Sequence, residues 1–470
     1  MNIDKKLQPA SLLPALNQFF SLAAAKITDL DRTWDSTQGT PVFTVNGRYA
    51  TRGWTEWTQG FQYGCALLAF DATGDEKLLK LGKEKTVRFM AQHVTHVGVH
   101  DHGFNNLSTY GNLRRLMLEG KLPANEWEMH FYELALKCSG AVQAARWSGV
   151  PTNPVSPLSG NSNSLGYIYS FNGPHSLFVD TIRTTRILSY AWQMGFKLMH
   201  ENDRAADLLK RSVLHGLTTN QYIIFHGSSS HHYDVRGRTA HEAIFNRNDG
   251  NFRCRSSQQG YSPFSTWTRG LAWAMLGYAE ELEFFATISD AKFKESVGLN
   301  KSDVMNVYLQ AAKDTCDHYM NDCAALDGIV YWDDGAPGLS KLGDWKTRPA
   351  DPSNPHEPVD ASASAIAAQG LIRLGQYLAG IGSTDGNIYT QAGLCITKTL
   401  LAEPYLSMDQ NHQGLLLHSI YHRPNGWDYV PAGAKSPQGE SSMWGDYHLM
   451  ELAVLLKRMA KNEKYLTFFV

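Results

Sequence analysis

The stretch LFVDTIRTTRILSYAW, residues 177–192, decides our interpretation of the fold. Its apolar side chains recur at steps of three and four residues and occupy most of the helical circumference, a pattern typical of a helix surrounded by other helices. Pro174 and Ser176 precede the stretch, as at a helix start. The stretch therefore predicts an inner helix with Asp180 in or near its first turn.

Asp180 has two possible roles at such a position. It can complement the positive end of the helix dipole, or it can be a catalytic carboxylate held over a cavity. The stretch alone leaves both roles open.

A pairing of helices continues outward in both directions from this stretch. An apolar segment at 57–70 ends in a glycine turn and is followed by an amphipathic segment at 76–93. The same order returns in further pairs, after a first helix at 10–30 and before a last apolar helix at 444–459: 106–120 with 124–148, 177–194 with 201–214, 267–282 with 303–320, and 360–370 with 388–401. The irregular spacing excludes a solenoid of fixed period.

These pairs predict an all-α fold, with an inner and an outer ring of helices. All inner helices would then begin at the same end of the ring, and the loops leading into them would form one shared pocket. The polar, aromatic segment 220–262 is expected to add short strands and loops over that pocket. Because no low-complexity linker interrupts the chain, residues 1–470 are expected to form a single domain.

The composition excludes several classes of partner. The formal net charge of -2 gives no sign of a nucleic-acid surface. No apolar run reaches about 18 residues, so no membrane span is expected. Residues 1–26 are interpreted as an amphipathic helix and not as a signal peptide, and a cytoplasmic or periplasmic location is expected. Aromatic residues make up 11% of the chain; they suit the stacking of sugar rings and also the packing of a large core.

A second candidate carboxylate, Asp101, lies between His100 and His102. An aspartate between two histidines can belong to a metal site, a solvated loop or an acid–base site. His418 and His422 have the spacing of zinc ligands on one helix face but lack an adjacent glutamate, so metal is not favoured. Two acids facing one pocket are the minimal set for cleaving a sugar linkage.

The proposed acid role of Asp180 meets an electrostatic difficulty. A helix start lowers the pKa of an aspartate, so a proton donor there needs burial or a neighbouring ionised carboxylate. Arg269 also lies near a helix start, where a cation is unfavourable, and it therefore needs an anionic partner. A substrate carboxylate and a structural protein acid both remain open as that partner.

Short motifs are distributed in order over nearly the whole chain. Their residues are Trp57, Gly60, Phe61, His100, Asp101, Gly103, Phe104, Val179, Asp180, Gln259, Gly260, Tyr261, Ser265, Trp267, Arg269, Gly270, Trp273, Asp360, Ser362, Ala363, Trp444 and Tyr447. Together these motifs resemble glycoside hydrolase family 88, the unsaturated glucuronyl hydrolases. The related unsaturated rhamnogalacturonyl hydrolases of family 105 are the nearest competitor.

The resemblance implies an (α/α)6 barrel and a substrate whose non-reducing end is a 4,5-unsaturated uronic acid. The implied reaction is hydration of the C4=C5 enol ether, with no metal and no cofactor. Asp180 matches the family's general acid/base, which protonates C4 and assists the attack of water at C5, and Asp101 matches the second essential acid. We expect a monomer or weak dimer with a small-oligosaccharide substrate.

The resemblance also assigns substrate-binding residues. His232 and Gln259 match polar groups around the unsaturated ring, Arg269 and Trp273 match a carboxylate grip and a stacking floor, and Trp267 matches a further binding residue. The subsite for the next sugar matches Trp57, Phe61 and His100. The choice between His231 and His232 stays open, because the interval up to Gln259 is longer than the family's.

Two loops depart from the family pattern. Arg236 and Arg238 suggest a more basic rim that would suit sulfated or otherwise acidic oligosaccharides. The Ser-, Gly- and Asn-rich loop 153–173 carries Tyr167, Tyr169 and Phe171, which could not be matched to the family.

Two functions compete with the one that the resemblance implies. One is an inverting glycosidase acting on saturated sugars on the same toroid, and the other is a non-catalytic carbohydrate-binding protein. The sequence leaves the source glycan open.

Overall fold

A computed structural model describes residues 1–53, 56–151 and 165–469 of the chain. Its α-helices, in chain order, are α1 Leu13–Thr33, α2 Gln59–Thr73, α3 Glu76–Phe89, α4 Ala91–Val94, α5 His102–Asn106, α6 Asn112–Leu118, α7 Glu126–Ala145, α8 Thr181–Thr184, α9 Arg186–Gln193, α10 Leu208–Tyr222, α11 Thr268–Ala286, α12 Asp290–Val297, α13 Lys301–His318, α14 Ala361–Gly380, α15 Gly386–Leu400 and α16 Met443–Lys461. A π-helical turn, Leu107–Gly111, joins α5 to α6, and another, Tyr319–Cys323, extends α13.

The strands are short and lie between the helices. They are β1 Phe43–Val45, β2 Arg48–Ala50, β3 Trp147–Gly149, β4 Gly166–Ile168, β5 Ser176–Phe178, β6 Leu198–Met199, β7 Ala205–Ala206, β8 Glu242–Phe245 and β9 Phe252–Ser256. Strands β5, β8 and β9 form an antiparallel three-stranded sheet, and the other strands pair two by two. The strands expected within 220–262 are therefore present as β8 and β9.

Twelve helical positions form two concentric rings. The inner ring runs through α2, α5–α6, α8–α9, α11, α14 and α16, and contacts between α16 and α2 close it. The outer ring consists of α1, α3, α7, α10, α13 and α15, each packed on an inner neighbour. This is the (α/α)6 arrangement, in which the apolar member of each pair lies inside and the amphipathic member outside.

Small residues allow the inner helices to approach one another closely. A methyl group added at Gly370 of α14 would lie 2.9 Å from the backbone nitrogen of Leu276 in α11. That distance is shorter than a van der Waals contact, so α11 and α14 touch backbone to backbone at this point. The small-residue segment that begins at Ala361 is therefore a packing feature of the inner ring.

The decisive stretch folds partly as predicted. Residues 181–193 are inner helices, but residues 176–178 form strand β5, because Leu177 pairs with Ala243 of β8. The helical path breaks at Thr185, between α8 and α9. The prediction of helix over 177–180 is thus wrong, since a partner strand more than 60 residues away in the chain takes up the backbone hydrogen bonds there.

One further helix prediction differs from the structure, and one helix was not predicted. The helix expected at 201–214 begins later, at Leu208, where the Asp207 side chain accepts a hydrogen bond from Lys210 N; β6 and β7 precede it. Helix α12 was not predicted. Part of the loop 153–173 lies outside the described residues, and no helix of the described chain is long and apolar enough to cross a bilayer.

Buried ion pairs hold α8 against its neighbours in the ring. Arg183 lies 3.0 Å from Glu280 of α11 and 3.0 Å from Glu451 of α16, and none of the three is exposed to an appreciable extent. Removing one member of such a pair leaves a buried charge, which costs several kcal/mol. The helix that follows Asp180 is therefore rigidly placed.

Candidate active site

A cavity of about 540 Å³ opens at the end of the ring where the inner helices begin. Asp101 precedes α5, Asp180 precedes α8 and Trp267 precedes α11, and all three line the cavity. Trp57 enters from the start of α2, and Trp427 from the loop before α16. The expectation of one shared pocket at the helix starts is therefore met.

The two candidate carboxylates lie side by side at the floor of this cavity, although 79 positions separate them in the chain. His100, Asp101 and Asp180 each offer a polar atom within 4.8 Å of the others. His100 Nε2 lies 3.1 Å from Asp180 Oδ2, and the imidazole is only 1% exposed. A close approach of two backbones supports this pairing, because a methyl group on Gly103 would overlap the carbonyl oxygen of Thr184.

The pKa values of the three groups move in different directions. Burial raises the pKa of Asp101, and the charge of Asp180 adds to this effect against the opposing effect of His100. Burial would also raise the pKa of Asp180, but the charge and hydrogen bond of His100 outweigh it and lower that pKa. Burial would lower the pKa of His100, but the two carboxylates raise it. Both shifts favour a protonated His100 paired with an ionised Asp180.

Several buried polar atoms of the site have no hydrogen-bond partner among the described residues. They are Asp180 Oδ1, His100 Nδ1 and Nε2 of a further histidine, His241. Asp180 precedes α8 but its side chain accepts no capping bond, so its carboxylate does not serve the helix end. Because buried polar groups in proteins are nearly always paired, such a cluster is typical of a site that completes its bonds with a ligand.

Arg269 has the structural partner that the sequence analysis left open. Its Nη1 donates to Asp360 Oδ2 at 2.7 Å and to the carbonyl of Ile420. Its Nη2 donates to the carbonyl of Tyr421 at 2.6 Å and to Gln259 Oε1 at 3.1 Å. These bonds use four of the five guanidinium hydrogens. Arg269 lines the cavity but is 2% exposed, so it is chiefly a buried ion pair, with only Nε–H not engaged within the described chain.

Most of the candidate aromatic residues line the cavity, and one packs behind them. Trp57, Trp267 and Trp273 line the cavity. Phe61 does not: it is fully buried and packs edge-on against Trp57, at 5.7 Å between ring centroids. The structure therefore places Phe61 behind the wall that it was expected to form.

The structure places His232 away from the cavity. This residue lies in an exposed loop, where its ring is 5.9 Å from that of Tyr233, and His231 lies in the same loop. His241 lies next to the site without lining the cavity: it is 1% exposed and packs on the cavity residues Phe178 and Trp267, at 4.4 and 4.9 Å between ring centroids. Burial lowers the pKa of His241 to about 3, so the ring is neutral.

The resemblance assigned a substrate-binding role to His232 and none to His241. In the sequence, His241 lies two positions before the apolar run Ala243, Ile244 and Phe245, which is typical of a buried strand. That run is the sequence signal that favours a buried position for His241.

The basic rim expected from two arginines is absent at this cavity. Arg236 lies 2.7 Å from Asp314 and Arg238 lies 3.3 Å from Asp334, and neither arginine lines the cavity. The longer interval before Gln259 therefore builds structural ion pairs and not a charged rim.

The loop that precedes α16 also contributes to the cavity, which was not predicted from the sequence. Tyr421, His422 and Trp427 line the cavity, and Arg52 stacks on the Trp427 ring at 4.0 Å. Asp428 holds this loop in place by accepting hydrogen bonds from the backbone nitrogens of Tyr421 and His422.

The chain is similar to known hydrolases along most of its length. The chain is 23% identical over 423 residues to an unsaturated glucuronyl hydrolase from Bacillus sp. (strain GL1), covering 88% of this chain and 89% of that protein. It is 23% identical over 421 residues to an unsaturated chondroitin disaccharide hydrolase from Streptococcus agalactiae serotype III, covering 87% and 84%.

The fold has solved counterparts. The crystal structure of the unsaturated glucuronyl hydrolase from Bacillus sp. GL1 superposes with a TM-score of 0.67 at 20% identity, over 94% of this chain and 96% of that one. No protein-family model matches the chain. The resemblance to the unsaturated glucuronyl hydrolases and the (α/α)6 fold that it implied are thus both confirmed.

Proposed function

We propose that this protein is an unsaturated glucuronyl hydrolase that releases a 4,5-unsaturated uronic acid from the non-reducing end of an oligosaccharide. The observation that carries this proposal is the group of Asp101, Asp180 and His100 on the floor of an aromatic cavity. The cavity draws on residues from 57 to 427, so the proposed catalytic unit is the whole chain as one domain.

The proposed reaction needs one proton donor and one water. Asp180, which receives its proton from His100 across their 3.1 Å hydrogen bond, protonates C4 of the enol ether. The positive charge that develops at C5 is shared with the ring oxygen. Water then attacks C5 while the Asp180 carboxylate accepts a proton from it, which restores the starting protonation of the pair.

Later steps need no further catalytic group. The resulting C5 hemiketal opens by breaking the bond between C5 and the ring oxygen, which leaves a ketone at C5 and a hemiacetal at C1. The hemiacetal then collapses to an aldehyde and releases the next sugar as an alcohol. In the proposal the buried Asp101, whose pKa burial raises, holds the substrate against Asp180 by a hydrogen bond.

The proposed binding roles follow from the hydrogen-bonding groups and apolar faces of each side chain that have no protein partner. Arg269 Nε–H and the Gln259 amide are proposed to meet the substrate carboxylate, while the other Arg269 hydrogens stay on protein acceptors. Trp273 and Trp267 provide apolar faces for the sugar ring. His241 is proposed to hold the backbone at Gln259 in place, since its Nδ1 accepts hydrogen bonds from the backbone nitrogens of Gln258 and Gln259.

Loss of ultraviolet absorbance tests the proposal, because hydration destroys the conjugated unsaturated acid. Wild-type protein is expected to remove the ultraviolet absorbance of lyase-generated disaccharides. The kcat/KM of Asp180→Asn is expected to be lower by at least about 10²-fold, while the variant keeps its fold. Asp249→Asn, on an exposed loop, is the matched control and is expected to retain activity. Turnover of Asp180→Asn above about a tenth of wild type would contradict the assignment of Asp180.

Substrate choice separates the competing functions. A saturated glucuronyl disaccharide offers no enol ether, so it is expected to remain intact. Its cleavage would instead favour an inverting glycosidase, and a preference for rhamnose-linked unsaturated uronate would favour a rhamnogalacturonyl hydrolase. Binding of all these sugars without turnover would favour the non-catalytic alternative.

A further inference from the structure

A second cluster of side chains that can bind a metal ion lies outside the cavity. His318 ends α13, Cys323 ends the π-helical turn after it, and Asp334 follows in a loop more than ten residues later. All three side chains are almost completely buried, and none of them lines the cavity. Their imidazole, thiol and carboxylate groups each offer one atom within 4.8 Å of the others.

The distances in this cluster differ from those of a hydrogen-bonded ion pair. His318 Nε2 lies 3.4 Å from Asp334 Oδ2, whereas a charged hydrogen bond of this type spans about 2.7–2.9 Å. Tetrahedral zinc, from its usual bond lengths, holds a nitrogen and an oxygen ligand about 3.4 Å apart and a sulfur and an oxygen ligand about 3.6 Å apart. Cys323 Sγ lies 4.0 Å from Asp334 Oδ2. The spacing of His318 and Asp334 is therefore that of two ligands of one zinc ion, whereas Cys323 must move closer to Asp334 when the metal binds.

The surroundings of the cluster orient these atoms. Asp322 Oδ2 lies 3.2 Å from His318 Nδ1, which leaves Nε2 facing the other two groups. Histidines that bind a metal often have a carboxylate hydrogen-bonded to the ring nitrogen that does not bind it. Arg238 Nη2 donates to Asp334 Oδ2 at 3.3 Å, and Thr266 N donates to Asp334 Oδ1 at 2.6 Å. The Thr266 hydroxyl is 3.1 Å from His318 Nε2.

We propose that His318 Nε2, Cys323 Sγ and Asp334 Oδ2 bind one zinc ion, with the Thr266 hydroxyl or a water as fourth ligand. The formal charges balance, since zinc and Arg238 together match the Cys323 thiolate and the carboxylates of Asp322 and Asp334. The Cys323 thiol loses its proton to solvent when the metal binds, and a protonated His318 likewise loses its Nε2 proton.

The site is structural. Asp334 accepts the backbone hydrogen bond of Thr266, the residue directly before the cavity residue Trp267. A metal at Asp334 therefore ties the end of α13 to the loop that carries part of the cavity wall, without touching the substrate.

Metal analysis and cobalt spectroscopy test the site. The full-length protein is equilibrated with zinc, dialysed and analysed for metal, and a second sample is titrated with cobalt, whose bond to a thiolate gives a charge-transfer band in the near ultraviolet. Wild type is expected to retain about one zinc per chain and to show the band. Cys323→Ser is expected to lose the band and at least about 10-fold in metal affinity.

A matched cysteine gives the control. Cys316→Ser removes a fully buried thiol of α13 that belongs to no such cluster, and it is expected to keep both the zinc and the cobalt band. A strong chelator is expected to lower the melting temperature of wild type and of Cys316→Ser, and to leave that of Cys323→Ser unchanged.

Three outcomes would overturn the site. One is zinc below about a tenth of an equivalent in well-folded wild type after equilibration. The others are metal binding that is unaffected by Cys323→Ser, and a cobalt spectrum without a thiolate band. In each case the cluster is an ion network in which a protonated His318 lies between Asp322 and Asp334. Because the readouts are metal content and spectra, the result is independent of whether the proposed hydrolase activity is found.

Discussion

Replacing His100 with glutamine tests the proposed sharing of a proton between His100 and Asp180. The amide can still donate a hydrogen bond to Asp180 Oδ2, so the geometry at 3.1 Å is largely kept, but it holds no titratable proton. In the proposed mechanism, the active form of the wild type carries one proton on the pair. That proton is lost as pH rises through the pKa of His100, which the two carboxylates raise above its ordinary value of 6.5.

The size of the expected shift in the pH profile depends on which group titrates in the variant. In His100→Gln the proton can reside only on the Asp180 carboxyl, whose pKa burial raises from its ordinary value once the opposing His100 charge is gone. Ordinary carboxyl and imidazole pKa values differ by about 2.5 units, and burial closes part of that gap. We therefore expect the alkaline limb of kcat/KM to move down by about 1–2 pH units, which is a loss of about 10–100-fold at neutral pH.

The assay is the absorbance loss of an unsaturated disaccharide measured across pH, with circular dichroism at each pH as a check on folding. His102→Gln is the matched control, because His102 is also buried in this segment but bonds to Ser139 and not to Asp180. An alkaline limb of His100→Gln that coincides with that of wild type would refute the shared proton. An equal displacement in His102→Gln would refute it as well.

Three further substitutions test the supports of the site. Arg269→Lys, which cannot replace the four bonds of the guanidinium to Asp360 and its other acceptors, is expected to lower the free energy of unfolding by about 3 kcal/mol, measured by urea denaturation. Trp427→Ala is expected to raise KM about 10-fold with little change in kcat, because it removes an apolar wall but no acid–base group. Gly103→Ala is expected to lower both stability and kcat, since its methyl group would push Thr184 and α8 away from Asp101.

Matched controls separate these effects from general damage. Trp127→Ala removes an exposed tryptophan outside the cavity and is expected to leave KM unchanged. Gly380→Ala adds a methyl group that meets no atom within 4 Å and is expected to leave stability unchanged. A wild-type-like melting temperature for Arg269→Lys together with a large rise in KM would show that Arg269 acts on the substrate and not in the fold.

The helical rings were predictable because their signal is local. The apolar composition of a segment such as 268–286 is enough to predict that the segment is buried. The glycine turn after Thr73 marks the change from an inner to an outer helix. The two candidate aspartates were also found in the sequence, since each lies where a loop meets the start of an apolar helix. Their adjacency was an inference from the ring, and the structure shows it directly.

The partners of these residues were not predictable, because they depend on contacts between distant parts of the chain. Whether Arg269 meets a substrate or Asp360 is set by the packing of α11 against α14, 91 positions apart. Whether His232 or His241 lies next to the site is set by the pairing of β5 with β8, which brings residue 241 beside the cavity residue Phe178. The periodicity of apolar residues reports only how each segment is buried. The sequence by itself therefore determined the helical rings and the candidate acids. Which charges are paired, and which polar atoms remain for a ligand, was decided only by tertiary packing.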